Sequence, residues 1–144
     1  MITLLQRVSE ARVDVAETKI AQIGRGILVL VGVQADDDES CARYFVDRML
    51  NYRVFADSDG KMNLSLIDIE GGLLLVPQFT LAANTKKGRR PSFTSAASPQ
   101  HGKRIFDAMI DYARAGYDPV ACGQFGADMK VHLVNDGPVT FILD

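Results

Sequence analysis

The sequence lacks most of the side chains from which familiar active sites are built. Its 144 residues contain no tryptophan, only two cysteines and only two histidines. Cys41 and Cys122 do not make a disulfide framework, and nothing else in the sequence indicates an oxidising compartment. His101 lies in the first turn of a predicted helix and His132 on a predicted strand, and neither has a partner at metal-ligand spacing. We therefore expect no metal and no cofactor.

Catalytic motifs with a fixed spacing are missing as well. The chain has no Gly-x-Ser-x-Gly elbow, no Cys-His signature and no phosphate-binding glycine loop. An enzyme with this sequence must work without a familiar side-chain triad.

A long apolar run and a strong net charge are also absent. The longest apolar run, residues 27–33, is far shorter than the roughly 20 residues of a spanning helix, and the N-terminus shows no signal-peptide core. The formal charge of -2 argues against a protein that coats nucleic acid, and we expect no DNA partner, but a local basic patch is compatible with it. We expect a soluble, cytoplasmic protein with no membrane partner.

The composition suits one well-buried core. With 144 residues, 47% of them hydrophobic, the chain is long enough for a single domain and too short for two. Alternating or wholly apolar runs predict a series of strands. They fall at residues 2–8, 11–15, 20–23, 27–33, 52–55, 64–69 and 73–76, with two or three more between residues 120 and 143.

Two segments have helical spacing. The acidic residues 36–39 favour the positive end of a helix rather than a metal site, and this helix extends to about Leu50. The second helix has Ser98 as its cap and Pro99 at its first position, and Gly116 ends it.

The pair Gly137-Pro138 lies between two apolar, β-branched runs, and we interpret it as a tight corner between strands. An X-Pro bond can be cis at a cost of only about 0.5–1 kcal/mol, which re-aims the preceding carbonyl. Glycine also lets the main chain come close to a ligand. A plain hairpin turn is the simpler interpretation, and these residues alone leave it open.

A second segment of interest follows the predicted strand at residues 73–76. Pro77 must end that strand or lie where no amide donor is needed, so residues 78–83 leave the core where functional groups are commonly displayed. Residues 84–93 then form a basic loop. Its cations are Lys86, Lys87, Arg89 and Arg90.

These segments carry a family resemblance. Residues 77–82, Pro-Gln-Phe-Thr-Leu-Ala, and residues 135–140, Asn-Asp-Gly-Pro-Val-Thr, resemble the paired motifs of the D-aminoacyl-tRNA deacylases, and residues 87–93 resemble the same family. The likeness extends from Gln6 to the C-terminus, and two long motifs at the family's spacing are far more specific than either alone. It implies a single mixed α/β domain over residues 1–144, with a largely antiparallel, barrel-like sheet and two main helices, that forms a homodimer.

The resemblance also implies a function. The family hydrolyses the ester between a D-amino acid, or a glycine mischarged on tRNA-Ala, and the terminal adenosine of tRNA, as a proofreading step in translation. In the family the Gly-Pro bond is cis, and the pair of one subunit reaches into the pocket of the other; here the pair is Gly137 and Pro138. The matching catalytic positions are Gln78, Phe79 and Thr80. The family commonly has serine where this chain has Pro77, so no role of that hydroxyl is transferred.

The mechanism that we expect depends on the main chain. Backbone N–H groups of Gln78 and Phe79 can be aimed at the oxygen of an ester carbonyl that becomes tetrahedral. Thr80 has the only hydroxyl in this motif, but the sequence places no activating base beside it. We expect Thr80 to orient the substrate or line the pocket while, as in the family, the adenosine 2′-hydroxyl helps to activate water.

Other residues have weaker signals. Arg7 resembles a family arginine that helps to hold the Gly-Pro corner, because a guanidinium can bond several carbonyls at once. Phe125 and Met129 are candidates for the mouth of the pocket, with plain core packing as the alternative. The loop cations suit the phosphates near the tRNA acceptor end, with an ordinary solvated loop as the alternative.

Two other functions stay open at this stage. One is a non-catalytic dimeric module that binds RNA ends through the basic loop. The other is a related deacylase that edits a mischarged L-aminoacyl-tRNA, which would need the Gly-Pro bond trans.

Overall fold

Eight strands and two long helices make up the computed structural model, which describes residues 1–144. The strands are β1 (Ile2–Val15), β2 (Thr18–Ile23), β3 (Gly26–Gly32), β4 (Phe55–Ala56), β5 (Met62–Leu64), β6 (Gly72–Pro77), β7 (Val120–Cys122) and β8 (Met129–Leu143). The helices are α1 (Glu39–Asn51) and α2 (Pro99–Gly116), and a short 3-10 helix covers Phe79–Ala82. Neither long helix combines the length and apolar composition needed to cross a membrane.

Six strands form one sheet. Its order is β2-β1-β3-β6-β7, and β8 pairs with β1 as well. The pairs that involve β1 are antiparallel, whereas β3 with β6 and β6 with β7 are parallel. The predicted mixed α/β class, with two main helices and a largely antiparallel, barrel-like sheet, is confirmed.

The central strands are buried on both faces, which explains why they are apolar without alternation. Ile27 and Val29 of β3 pack in a cluster of 22 buried residues that includes the inner faces of α1 and α2. Leu28 and Leu74 point the other way, into a second cluster of eight buried residues. The sheet therefore separates two hydrophobic cores.

Both helices begin where the sequence predicts. Asp38 caps α1 by accepting a hydrogen bond from the Cys41 backbone N–H at 2.9 Å, and bonds from the Ser40 hydroxyl and from Cys41 hold the pKa of Asp38 below its usual value. Ser98 caps α2 with Pro99 at the first position, and α2 ends at Gly116. The acidic residues 36–39 thus serve as a helix start.

Three strand predictions were wrong in their bounds, and one of them, residues 52–55, has only Phe55 in β4. Residues 2–8 and 11–15 are one continuous strand, because β8 pairs along almost its whole length while β3 and then β2 pair with its other edge. Residues 65–70 are turns rather than a strand, because Ser65 donates from its backbone and its hydroxyl to the Asp68 carboxylate, each at 2.8 Å. Such local bonds compete with pairing in a sheet.

The Gly137-Pro138 corner was also predicted wrongly. β8 is one strand through the pair, and both flanking runs stay paired with β1. Gln6 lies opposite Thr140 and Val8 lies opposite Asn135, so residues 136–139 stand opposite a single residue of β1. We call these four residues the bulge. The pair is a local expansion inside a strand pair and not the turn of a hairpin.

The start of the parallel pair β3 and β6 depends on Gly26, which lies against the backbone of Gly72. A Cβ atom on Gly26 would lie 2.0 Å from the backbone oxygen of Gly72, a distance that no packing adjustment of side chains can relieve. The two strands can approach this closely only because position 26 has no side chain.

Replacing Gly26 with alanine should therefore destabilise the protein by more than about 2 kcal/mol, because the clash is between two backbones. Urea unfolding followed by circular dichroism measures the change. Gly24→Ala is the matched control, since a Cβ there meets nothing within 4 Å, and it should change stability by less than about 0.5 kcal/mol. Equal effects of the two substitutions would contradict this account of the strand contact.

Candidate active site

A cleft of about 700 Å³ opens at the carboxyl ends of β3 and β6. Twelve of its 19 lining residues are hydrophobic, and the lining residues with polar side chains are Gln78, Ser98 and Asp128. Its wall combines the two strand ends, the start of α2 and the segment that leads into β8. We refer to it as the cleft.

Phe125 and Met129 lie in the wall of the cleft. Gly102 of α2 leaves room for the Phe125 ring, since a Cβ at position 102 would lie 3.3 Å from its Cζ atom. The Met129 sulfur is closer still to Gly123, at 2.8 Å from a Cβ built there. Both side chains are half-buried: they pack against the buried clusters and also border the open space of the cleft.

Pro77 ends β6 at a place where its missing N–H is not needed. The Leu75 carbonyl accepts from the Gly123 N–H at 2.8 Å, and alternation along the strand turns position 77 to the same side. β7 ends at Cys122, so no paired strand continues there. The proline therefore fits the edge of this ladder, as expected.

The segment after Pro77 holds both used and free backbone donors. The Gln78 N–H donates to the Val31 carbonyl at 2.7 Å, so this predicted donor is already occupied by the sheet. The Phe79 and Thr80 N–H groups donate to no group of the protein. They begin the 3-10 helix, and the first N–H groups of a helix have no partner within it. Phe79 lines the cleft, whereas Thr80, the next residue, is not part of its lining.

The Thr80 hydroxyl has a partner but no base. It accepts a hydrogen bond from the Gln78 side-chain amide and has no other polar contact. The two imidazoles are engaged elsewhere: His101 Nε2 lies 2.8 Å from the Asp37 carbonyl, and His132 Nε2 lies 3.0 Å from the Asp14 carboxylate. Nothing beside Thr80 can remove its proton.

The bulge is fixed by Arg7, whose side chain is only 15% exposed. Its Nε donates to the Asp136 carbonyl at 3.1 Å and its Nη1 donates to the Val54 carbonyl at 2.7 Å. The Asp136 carboxylate adds an ion pair at 3.3 Å. The bond between Gly137 and Pro138 is cis, and Gly137 has a φ of +124°. Arg7 therefore bonds the main chain beside the Gly-Pro pair and the main chain of Val54.

Asn135 holds the bulge from the other side, which sequence reasoning missed. Its side-chain amide donates to the Arg7 carbonyl at 2.9 Å and to the Val139 carbonyl at 3.0 Å. Its oxygen accepts from the Thr140 hydroxyl at 3.2 Å. The signal that could have identified Asn135 lies in the sequence motif. Asn135 and Thr140 stand on either side of the Gly-Pro pair, and an asparagine at such a position can bridge two strands.

The bulge and the cleft of one protomer lie apart. No residue after Val131 lines the cleft, and Gly137 and Pro138 are exposed. Arg7, opposite the bulge, pairs with Ile27 near the start of β3, whereas the cleft lies at the Val31 end of that strand. Four residues of strand separate these levels, which is roughly 13 Å. One protomer does not bring the two motifs together.

The surface around the bulge is apolar and uncovered. β8 pairs with β1 alone, so its outer edge has no neighbouring strand. Val134, Phe141 and Ile142 are exposed on this strand, and Ile142 is 65% exposed. Long open edges with apolar side chains are typical of surfaces that another chain covers.

The basic loop protrudes beside the cleft. Asn84 and Ser92 close it with two backbone hydrogen bonds of 2.7 and 3.0 Å. All of its cations are exposed and none forms an ion pair. Phe93 follows the loop, and its ring centroid lies 5.1 Å from that of Phe79, a contact that sequence reasoning missed.

Comparisons with known proteins point to one family. The model of the D-Tyr-tRNA(Tyr) deacylase family matches residues 4–144. A D-aminoacyl-tRNA deacylase of Pseudomonas aeruginosa is 59% identical over 144 residues, which cover 100% of this chain and 99% of that protein. Enzymes of the same name from Stutzerimonas stutzeri and Alkalilimnicola ehrlichii are each 58% identical; the matches cover 98% and 100% of this chain, and 97% and 96% of those proteins.

Two solved structures share the fold. A c-Myc DNA unwinding element binding protein superposes with a TM-score of 0.95 at 38% identity, covering 100% of this chain and 98% of the other. A probable eukaryotic D-amino acid tRNA deacylase superposes with a TM-score of 0.87 at 20% identity, covering 99% and 97%, and supports the fold alone.

Replacing Arg7 with lysine should lower the free energy of unfolding by about 1–2 kcal/mol, because an ammonium cannot serve the carbonyls of both Val54 and Asp136 and a buried acceptor loses its partner. Arg12→Lys on the same strand is the control, since Arg12 is exposed and should change stability by less than about 0.5 kcal/mol. Urea unfolding measures both variants. Faster amide exchange in the bulge is expected only for Arg7→Lys, and unchanged exchange would remove Arg7 from this role.

Proposed function

The chain belongs to the D-aminoacyl-tRNA deacylase family and hydrolyses D-aminoacyl-tRNA, and on this premise we propose that two copies of the chain build its active site from main-chain groups. The full-length match to deacylases sets aside the alternative of a non-catalytic RNA-end module. An enzyme of this class meets its aminoacyl-tRNA substrate in the cytoplasm.

The ester carbonyl binds at the two free backbone donors. The N–H group of Phe79, at the rim of the apolar cleft, and that of Thr80, the next residue, are unpaired, and this is the observation that carries the proposal. Fixed N–H groups stabilise the negative oxygen of a tetrahedral intermediate most strongly where water is excluded. The Gln78 side chain orients the Thr80 hydroxyl, which takes no covalent part.

Water is activated by the substrate rather than by a side chain. No histidine, carboxylate or amine contacts the Thr80 hydroxyl, so the chain offers no general base beside Thr80. Asp128, the ionisable residue of the cleft lining, is 89% exposed and forms an ion pair with Lys130. The 2′-hydroxyl of the terminal adenosine lies next to the ester in the substrate itself. It accepts or relays the proton of the attacking water, and the protein supplies position.

A second copy of the chain completes the site. The bulge is exposed and outside its own cleft, and the apolar edge of β8 beside it is uncovered. In a homodimer with two-fold symmetry, each copy offers the same surface and each bulge can enter the partner's cleft. Gly137 and Pro138 then line the cleft that their own protomer does not reach.

The Gly137 carbonyl selects substrates with a D-amino acid over those with an L-amino acid. In the partner's cleft it accepts a hydrogen bond from the α-amino group of the substrate and leaves no space for a side chain on the L side. A clash of about 4 kcal/mol gives a roughly thousandfold preference. The D side chain points outward, so D-amino acids of different size and charge are accepted, and glycine has no side chain to exclude.

The basic loop holds the RNA. Lys86, Lys87, Arg89 and Arg90 are exposed and free of ion pairs on the same side as the cleft rim, since the loop lies between the 3-10 helix and Phe93. Such cations bind phosphates and release counterions. The loop therefore contacts the acceptor end of tRNA.

Incubation with four substrates tests the function. Purified protein should release the amino acid from D-Tyr-tRNA, D-Asp-tRNA and Gly-tRNA at similar rates, and from L-Tyr-tRNA roughly a thousandfold more slowly. The readout is the fraction of tRNA still acylated over time. Specific release from L-Tyr-tRNA would indicate an L-editing enzyme, and strong discrimination between the two D substrates would overturn the outward side chain.

A pair of substitutions at Phe79 tests the backbone donor. Leucine and proline both remove the ring, but only proline removes the N–H, and the φ of proline suits the first position of a helix. We expect Phe79→Pro to reduce kcat by about 10²–10³-fold relative to Phe79→Leu. Thr80→Ala keeps its N–H and should retain near-normal kcat. Loss of turnover in folded Thr80→Ala would restore the hydroxyl as a nucleophile.

Mixed dimers test whether the bulge acts across the interface. One protomer carries Phe79→Pro and the other carries Gly137→Ala, whose Cβ would lie 2.9 Å from the Arg7 guanidinium. Each homodimer should be inactive. If the bulge acts in the partner, the mixture regains about a quarter of the wild-type rate, because half of the dimers are mixed and each has one intact site. No recovery would place the bulge and cleft in one protomer.

A further inference from the structure

Two phenyl rings are left uncovered at the rim of the cleft. The Phe79 side chain is 57% exposed and that of Phe93 is 40% exposed. Their centroids lie 5.1 Å apart with the planes inclined by 50°, so they form one continuous aromatic surface. We call it the aromatic pair.

The aromatic pair is held in place by the segments on either side of it. The Ser95 hydroxyl donates to the Ala82 carbonyl at the end of the 3-10 helix, which ties the segment of Phe93 to the segment of Phe79. The closing hydrogen bonds between Asn84 and Ser92 fix the loop immediately before Phe93. The surface is thus built on a constrained part of the chain.

The position of the aromatic pair indicates its role. Both rings border the cleft, and Phe93 directly follows Ser92, which closes the basic loop with Asn84. The four exposed cations of that loop, none of which forms an ion pair, therefore lie in the chain between the two rings. Exposed aromatic rings beside a line of unpaired cations are the surface that single-stranded nucleic acid uses, because bases stack on the rings while phosphates meet the cations.

We propose that Phe93, together with Phe79, stacks the base of the nucleotide that precedes the terminal adenosine of the substrate. This rests on the proposed function, in which the aminoacyl end of the terminal adenosine lies in the cleft. The single-stranded end of the tRNA must leave the cleft over its rim. The preceding base then lies on the aromatic pair, and its backbone continues along the basic loop. Stacking on a phenyl ring does not depend on the identity of the base.

Two substrates separate this role from catalysis. One is a D-aminoacyl-tRNA with its complete 3′ end, and the other is a D-aminoacyl-adenosine, which lacks every preceding nucleotide. For the complete substrate, Phe93→Leu should raise KM about tenfold and leave kcat unchanged, since leucine keeps the contact with Phe79 but offers no ring. For the D-aminoacyl-adenosine, neither value should change. Phe93→Tyr should restore the wild-type KM.

Two sets of control variants accompany this test, and one outcome concerns the proposed function alone. Tyr112→Leu removes an exposed aromatic ring on α2, away from the cleft, and should leave both substrates unaffected. Replacing the four loop cations with glutamine should flatten the salt dependence of binding for the complete substrate only. If wild-type protein cleaves neither substrate, the proposed function fails, whatever Phe93 does.

Three results would overturn the stacking role while leaving the function intact. An equal loss with both substrates places Phe93 in the cleft with the terminal adenosine. An unchanged KM for Phe93→Leu removes it from the RNA path. A lower dimer fraction in sedimentation, with the loss of activity following it, assigns Phe93 to the contact between protomers.

Discussion

The parallel pairing of β3 with β6 is the constraint on which the rest of the structure depends. At its start, Gly26 allows a contact with the Gly72 backbone that no side chain at position 26 would permit. At its end, the Gln78 N–H makes the last bond to Val31, and the chain then turns into a 3-10 helix. The donors at Phe79 and Thr80 are free because the ladder stops there. Strand pairing therefore sets both the depth of the cleft and the direction of its backbone donors.

The same sheet keeps the two motifs of one chain apart. β1 carries β3 on one edge and β8 on the other, so the bulge lies opposite Arg7 while the cleft lies beyond Val31. Shortening β8 enough to bring Gly137 to its own cleft would break its pairing with β1. In the dimer that we propose, a second copy solves this without any change in the fold, and it also covers an apolar strand edge that a monomer exposes. In that proposal, dimerisation and completion of the site are one requirement.

A structural feature can be predicted from the sequence when the interaction that determines it joins residues close together in the chain. Both helix starts were predictable because Asp38 and Ser98 bond to N–H groups only three residues away. The Gly137-Pro138 bulge was mistaken for a corner because two apolar runs around a turn-forming pair look the same in a hairpin and in a bulged strand. Only pairing with β1, more than 120 residues away, separates them. The occupied amide of Gln78 was hidden for the same reason, since its acceptor Val31 lies on another strand.

The scarcity of reactive side chains is what a main-chain site predicts. If the Phe79 and Thr80 N–H groups bind the ester and the substrate provides its own hydroxyl, side chains at this end of the cleft are free to vary as long as the backbone path is kept. Pro77 satisfies that condition, because it lies beyond the end of β7 and takes no donor from the ladder. A Cβ on Gly26 or Gly137 violates that condition, because either Cβ would force the backbone onto a different path. In such an enzyme, the residues that matter most for catalysis are those that fix backbone geometry, wherever they lie in the sheet.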